Sequence, residues 1–129
     1  MTTPASAVPD TFHVVHLDLA REPGHPEGSV LDRYTLMLPL TLDGRVDADE
    51  ARAYPEYCRV SRALGQDALK RGQIHRDDGG AWVFDFGDAE GEPEVAFRLA
   101  QERFEPGEYV SIQRAGEQHT YRVVSLQPV

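Results

Sequence analysis

The strongest constraint on this chain is a period-two alternation of apolar and polar residues, repeated between turn motifs. From Val30 to Leu42, every second residue from Tyr34 onward is apolar and large. The segment Thr11–Ala20 alternates in the same way and is rich in β-branched residues. Because successive side chains of a strand point to opposite faces, this pattern predicts half-buried β-strands. The inward positions predicted for the second segment are Tyr34, Leu36, Leu38, Leu40 and Leu42.

Proline and capping motifs divide the strands. Pro39 cannot donate a hydrogen bond to a neighbouring strand, so the segment that contains it is expected at a sheet edge or at a bulge. Asp47 has Glu50 three residues later, which is the spacing of a capping box. A short helix is therefore predicted after Asp47, and it should end before Pro55.

The rest of the chain continues in short strands. Tyr57–Leu64 alternates, and Ala115-Gly116-Glu117 marks the turn of a final hairpin. Residues 94–104 are ambiguous between helix and strand, and their context favours a strand. Together these patterns predict a mainly β fold, an antiparallel barrel or curved sandwich of seven to eight short strands with one short helix. Residues 1–10 are predicted to be a flexible tail, and residues 11–129 a single β-rich domain.

The segment Ile74–Gly87 contains the triplets HRD and DFG that protein kinases use. A kinase needs an asparagine five residues after the aspartate of HRD, and Trp82 stands there instead. The triplets are better explained by a β-hairpin. A three-residue loop at 78–80 would pair Ile74 with Phe84 and Arg76 with Trp82, which aligns the apolar positions and allows a cation–π contact.

Charge and cysteine content exclude several classes of function. The 129 residues have a formal net charge of −9, which argues against nucleic-acid binding. No apolar run is long enough to cross a membrane. Cys58 is the only cysteine, so no internal disulfide forms, and we expect a cytoplasmic protein with a buried structural thiol. The segment Arg52–Arg76 is basic, so it either presents an anion-binding surface or is neutralised by acidic segments.

No metal site or cofactor is predicted. His13 and His16 lie three residues apart and would face opposite sides of a strand, so they cannot share a metal ion. An enzyme remains an alternative hypothesis, in which His75 or His119 acts as general base and Asp85 or Asp77 orients it.

The preferred hypothesis is a non-enzymatic module that binds a small anionic ligand or a partner protein. Arginines would bind a carboxylate or phosphate, and aromatic rings would form the walls. The candidate residues are Arg59, Arg62, Arg76, Trp82, Tyr34 and Tyr109. A third hypothesis is a structural adaptor, either a monomer or a homodimer paired through the strand that contains Pro39 or through an apolar patch.

Overall fold

A computed structural model describes residues 8–21, 26, 28–64, 69–87, 94–96, 102–114 and 116–129. The helix α1 comprises Ala48–Ala53 and is followed by a 3₁₀ turn at Pro55–Tyr57. The strands are β1 Phe12–Leu19, β2 Ser29–Pro39, β3 Arg59–Leu64, β4 Lys70–Arg76, β5 Trp82–Asp85, β6 Glu94–Ala96, β7 Tyr109–Arg114 and β8 Glu117–Pro128.

The eight strands form a closed antiparallel barrel in which each strand pairs with the next along the chain. The ring closes because β1 pairs with both β2 and β8. Irregularities between His16 and Leu17 and between Asp18 and Leu19 shift the register of β1, as bulges do where a sheet curves. The predicted fold class is confirmed, in its barrel form.

Two predictions about β2 are wrong. This strand is not an edge strand, because β1 and β3 flank it in the closed ring. Pro39 is tolerated because it is the last residue of β2, beyond the final β2–β3 pair at Met37. A dimer paired through this strand therefore has no free edge to use. Leu42 does not face inward either, since it lies after the strand has ended and is fully exposed.

The helix and the 3₁₀ turn lie at the end of the barrel where β2 ends and β3 begins. Asp47 caps α1 by accepting a hydrogen bond from the backbone N–H of Glu50 at 3.1 Å, which confirms the predicted helix start. The ring of Phe12 is fully buried and packs edge-on against Tyr54 and Tyr57, with centroid distances of 6.4 and 6.0 Å. This end of the barrel is therefore closed by apolar packing.

The hairpin of β4 and β5 has the predicted register, with Ile74 opposite Phe84 and Arg76 opposite Trp82. Its three-residue loop is closed by a hydrogen bond from Asp77 N to Ala81 O at 2.9 Å. Gly80 adopts a φ of +85°, a conformation that glycine adopts without strain. The kinase-like triplets are thus two strands of a barrel and the turn between them.

The remaining segments are described in part. Residues 94–96 form a strand, as favoured for the ambiguous segment, and 102–104 are irregular, while 97–101 lie outside the described residues. The predicted tail lies outside them up to residue 7. In the part of the chain that is described, α1 is too short to span a bilayer, and no other helix has the length and apolar character for it.

Candidate functional site

Six polar side chains meet inside the barrel, toward the end opposite α1. They come from five strands. Each lies at an inward-facing position of its strand, as the apolar core residues do. We call this group the interior cluster, and it consists of Asp32, Tyr34, Arg62, Glu94, Arg114 and Tyr121. The cluster contains two guanidinium groups, two carboxylates and two phenols.

Asp32 and Arg62 form the best-defined ion pair of the interior cluster. Nε of Arg62 donates to Oδ1 of Asp32 at 3.2 Å, and Nη2 donates to Oδ2 at 3.1 Å. Nη1 of Arg62 lies 3.9 Å from Oε2 of Glu94, and its guanidinium sits 5.5 Å from the centre of the Tyr34 ring. Arg62 therefore binds Asp32 through the edge formed by Nε and Nη2, which we call the side-on edge, and faces Glu94 with Nη1.

Arg114 is bound mainly by neutral groups. Its Nη1 donates to the hydroxyl of Tyr121 at 2.6 Å and to the hydroxyl of Tyr34 at 3.2 Å. Its Nη2 lies 3.8 Å from Oδ2 of Asp32, which is an ion-pair distance and too long for a hydrogen bond. Among the described residues, Nε and Nη2 of Arg114 donate no hydrogen bond.

The two phenols connect the arginines to the carboxylates. The hydroxyl of Tyr121 donates to Asp32 at 2.9 Å, and the hydroxyl of Tyr34 donates to Glu94. Burial raises the pKa of both tyrosines well above the ordinary range, and the nearby Glu94 carboxylate raises the pKa of Tyr34 further. Both phenols are therefore neutral donors at physiological pH.

The charge of Arg62 is stabilised inside the barrel by its partner. Burial is the largest single influence and lowers the pKa of Arg62, but the hydrogen bonds to Asp32 and the electrostatic interactions with its neighbours together outweigh burial, so the pKa is raised. Its side chain keeps 12% of its exposure and that of Arg114 keeps 15%, whereas Asp32 keeps 7%. The side chains of Arg62 and Arg114 are thus slightly more exposed than that of Asp32.

The structure divides the six predicted binding residues among different places. Only Tyr34 and Arg62 belong to the interior cluster. Arg59 is exposed and donates from Nε to the backbone oxygen of Glu56 at 3.0 Å. Tyr109 is 57% exposed on β7. Arg76 and Trp82 lie together near α1, with the guanidinium 5.5 Å from the ring centre.

The residues of the alternative acid–base hypothesis do not converge on the interior cluster. Nε2 of His75 lies 3.6 Å from Oδ2 of Asp85, beyond hydrogen-bond range, and both side chains are about half exposed. Asp77 is used by the turn, since its Oδ1 accepts from the backbone N–H groups of Gly79 and Ala81 at 2.9 Å. His119 is half-buried on β8 opposite Ile112.

Four members of the interior cluster were missed by sequence reasoning, and strand alternation could have identified three of them. Asp32 has the same parity as the inward Tyr34 and Leu36. Arg114 likewise follows Val110 and Ile112 at even positions. The same rule places Tyr121 with Val123, whereas Glu94 belongs to the ambiguous segment, where no alternation could be established.

No group of three or more metal-ligating side chains occurs among the residues that the structure describes. Comparisons with protein-family models, with curated proteins and with solved structures gave no match to this chain.

Proposed function

We propose that this barrel is a binding module for a small anion that carries a carboxylate or phosphate group, and that the anion binds at Arg114 in the interior cluster. The observation that supports this proposal is the unused side-on edge of Arg114. Its Nε and Nη2 have no hydrogen-bond acceptor among the described residues, while the corresponding edge of Arg62 is occupied by Asp32. That edge has the geometry that carboxylates and phosphates accept bidentately.

The energetics of the interior cluster favour a functional role. Buried ion pairs stabilise a fold little compared with well-packed apolar residues, because both ions lose their hydration. This barrel nevertheless contains two buried carboxylates and two nearly buried guanidinium groups in its interior. Convergent buried charges of this kind are characteristic of binding and catalytic sites.

The surroundings of Arg114 favour an anion over a cation or a neutral ligand. The negative charge of Asp32, 3.8 Å from Nη2, is already balanced by the bidentate pair with Arg62. The remaining neighbours of Arg114 are the neutral hydroxyls of Tyr34 and Tyr121. Of the two guanidinium groups, that of Arg114 therefore has the weaker counter-charge, and a bound anion would supply a full one.

The test is a thermal-shift titration of the purified protein with phosphate and with malonate, followed by calorimetry of any anion that raises the melting temperature. A ligand that binds only the folded state stabilises it in proportion to the logarithm of its concentration. We expect a saturable stabilisation of the wild type that Arg114→Gln loses. Arg122→Gln, a change of an exposed arginine on β8, is the matched control and should retain the response.

The control also separates binding from the general stabilisation that phosphate gives many proteins by exclusion from their surface. An equal response in Arg114→Gln and Arg122→Gln would contradict the proposal. A wild type whose melting temperature does not change with either anion would contradict it as well.

A further inference from the structure

A groove lies between α1 and the β4–β5 hairpin. Its volume is about 240 Å³. Pockets for drug-sized ligands have volumes of roughly 300–1,000 Å³, so this one suits a smaller molecule. Its floor is apolar and its rim is basic. The apolar part includes Ala51, Ile74 and Trp82, and the rim consists of Arg52, His75 and Arg76.

The Trp82 side chain forms one wall of this groove. It is only 2% exposed, and its indole Nε1 is buried without a hydrogen-bond partner in the described part of the chain. A buried tryptophan N–H normally has an acceptor, because leaving this donor unsatisfied costs free energy. The wall of the groove thus contains a donor that the described protein groups do not satisfy.

Arg76 provides a positive charge beside the same wall. Its guanidinium lies 5.5 Å from the centre of the Trp82 ring, and no carboxylate among the described residues forms an ion pair with it. Arg52 on α1 adds a second cation, whose only described partner is the exposed Asp49 at 3.4 Å. Exposed pairs of this kind are weak, so Arg52 is available to a ligand.

We propose that this groove binds a small aryl or alkyl carboxylate. The apolar group would pack on Ala51, Ile74 and the Trp82 ring, and the carboxylate would lie between Arg76 and Arg52. An uncharged compound of the same shape would lose the ion pairs, and an inorganic anion would lose the apolar contacts. The ligand class follows from the combination of apolar floor and basic rim.

The groove is separate from the interior cluster. Arg62 of the cluster pairs with Lys70 at the start of β4, whereas Arg76 ends the same strand. Six residues of extended strand span about 20 Å, so one small ligand cannot contact both places. The inference therefore does not depend on the function proposed above.

Trp82 is the only tryptophan, so its fluorescence and its single indole N–H resonance report directly on the groove. The probe is 3-phenylpropionate, which can be compared with 3-phenylpropionamide. We expect saturable changes in the fluorescence and in the chemical shift of the indole proton with the carboxylate. The amide and Arg76→Gln should each weaken binding by about tenfold, as expected for loss of a charge-assisted hydrogen bond.

Two matched variants make the result decisive. Arg59→Gln removes an exposed arginine that does not line the groove and should bind the probe like the wild type. Arg114→Gln should also bind it normally, which distinguishes failure at the groove from failure at the interior cluster. The inference is overturned if the carboxylate and the amide bind equally, if Arg76→Gln has no effect, or if the indole resonance does not move at saturating probe.

Discussion

Asp32 and Arg62 lie on adjacent strands and are joined by two hydrogen bonds of 3.2 and 3.1 Å inside the barrel. Because each charge is buried against the other, removing Asp32 leaves Arg62 with only the Glu94 carboxylate, 3.9 Å away and not hydrogen-bonded to it, as a counter-charge. Asp32→Asn should therefore reduce the free energy of unfolding by about 3–5 kcal/mol, measured by urea denaturation.

The matched control for this change is Asp49→Asn, which breaks an exposed ion pair on α1 and should cost less than about 1 kcal/mol. The double variant Asp32→Leu with Arg62→Met should recover part of the loss, since it removes both charges together. A stability loss no greater for Asp32→Asn than for the control would show that the pair is not buried as described.

Gly72 allows the end of β5 to pass close to β4. A Cβ atom built at Gly72 would lie 2.1 Å from the backbone oxygen of Asp85 and 3.0 Å from Cα of Phe86. Gly72→Ala should thus force the two strands apart and destabilise the protein by about 1–3 kcal/mol.

Gly79 in the hairpin loop is the control for this substitution. A Cβ atom there would meet only the Asp77 Oδ1 at 3.5 Å, an ordinary contact. Gly79→Ala should leave the urea midpoint unchanged or raise it slightly, because alanine restricts the unfolded chain. Equal midpoints for the two alanine variants would contradict the close approach at Gly72.

His16 should make the barrel less stable in mild acid. Burial lowers the pKa of His16, and the positive charge of Arg33 lowers it further, although Asp18 opposes the change. The unfolded state, with a histidine pKa of about 6.5, then binds a proton more readily than the folded state. The contribution of His16 to the stability of the fold is therefore fully present above pH 6.5. It is lost as the pH decreases from about 6.5 toward the lower pKa of His16 in the folded state.

The measurement is the melting temperature between neutral and mildly acidic pH. His16→Asn should show a smaller decrease than the wild type over this interval, and the same change at the exposed His75 provides the reference. A steeper decrease in His16→Asn than in the wild type would reverse the sign that we infer.

Cys58 should react slowly with thiol reagents while the barrel is folded. Its side chain is buried, and burial together with the nearby charge of Glu56 raises its pKa to about 11. Only the thiolate reacts, so labelling by iodoacetamide at pH 8 should be far slower in the native protein than in denaturant. Fast native labelling would mean that this part of the barrel opens readily.

Strand alternation was sufficient to predict most of the barrel. It gave the correct hairpin register because only one loop length aligns Ile74 with Phe84. It failed at Leu42, where the apolar pattern continues past the end of the strand. It also failed at Pro39. The missing N–H of a proline is tolerated both at the end of a strand and on an edge strand, so the proline alone does not distinguish the two positions.

The candidate site was harder to predict, because residue type alone does not show which arginines and aromatic rings lie on the same face or at the same end of the barrel. Arg59 and Arg62 differ by an odd number of residues, so they could not share one face of β3. Arg62 and Arg76 lie toward opposite ends of the barrel, which only the strand pairing reveals. Glu94 could not be placed, since its partner Tyr34 is distant in sequence and the intervening fold is needed to bring them together.

The interior cluster also links strands across the place where the barrel closes. The pairing of β1 with β8 is the one contact in the ring between strands far apart in sequence, so it has the largest loop-closure cost. Loss of this pair would leave a curved sheet with two free edges, which are templates for intermolecular pairing. The hydrogen bond from Tyr121 on β8 to Asp32 on β2 spans β1 from the inside. The interior cluster thus opposes separation of β1 from β8, which would expose unpaired strand edges to other copies of the chain.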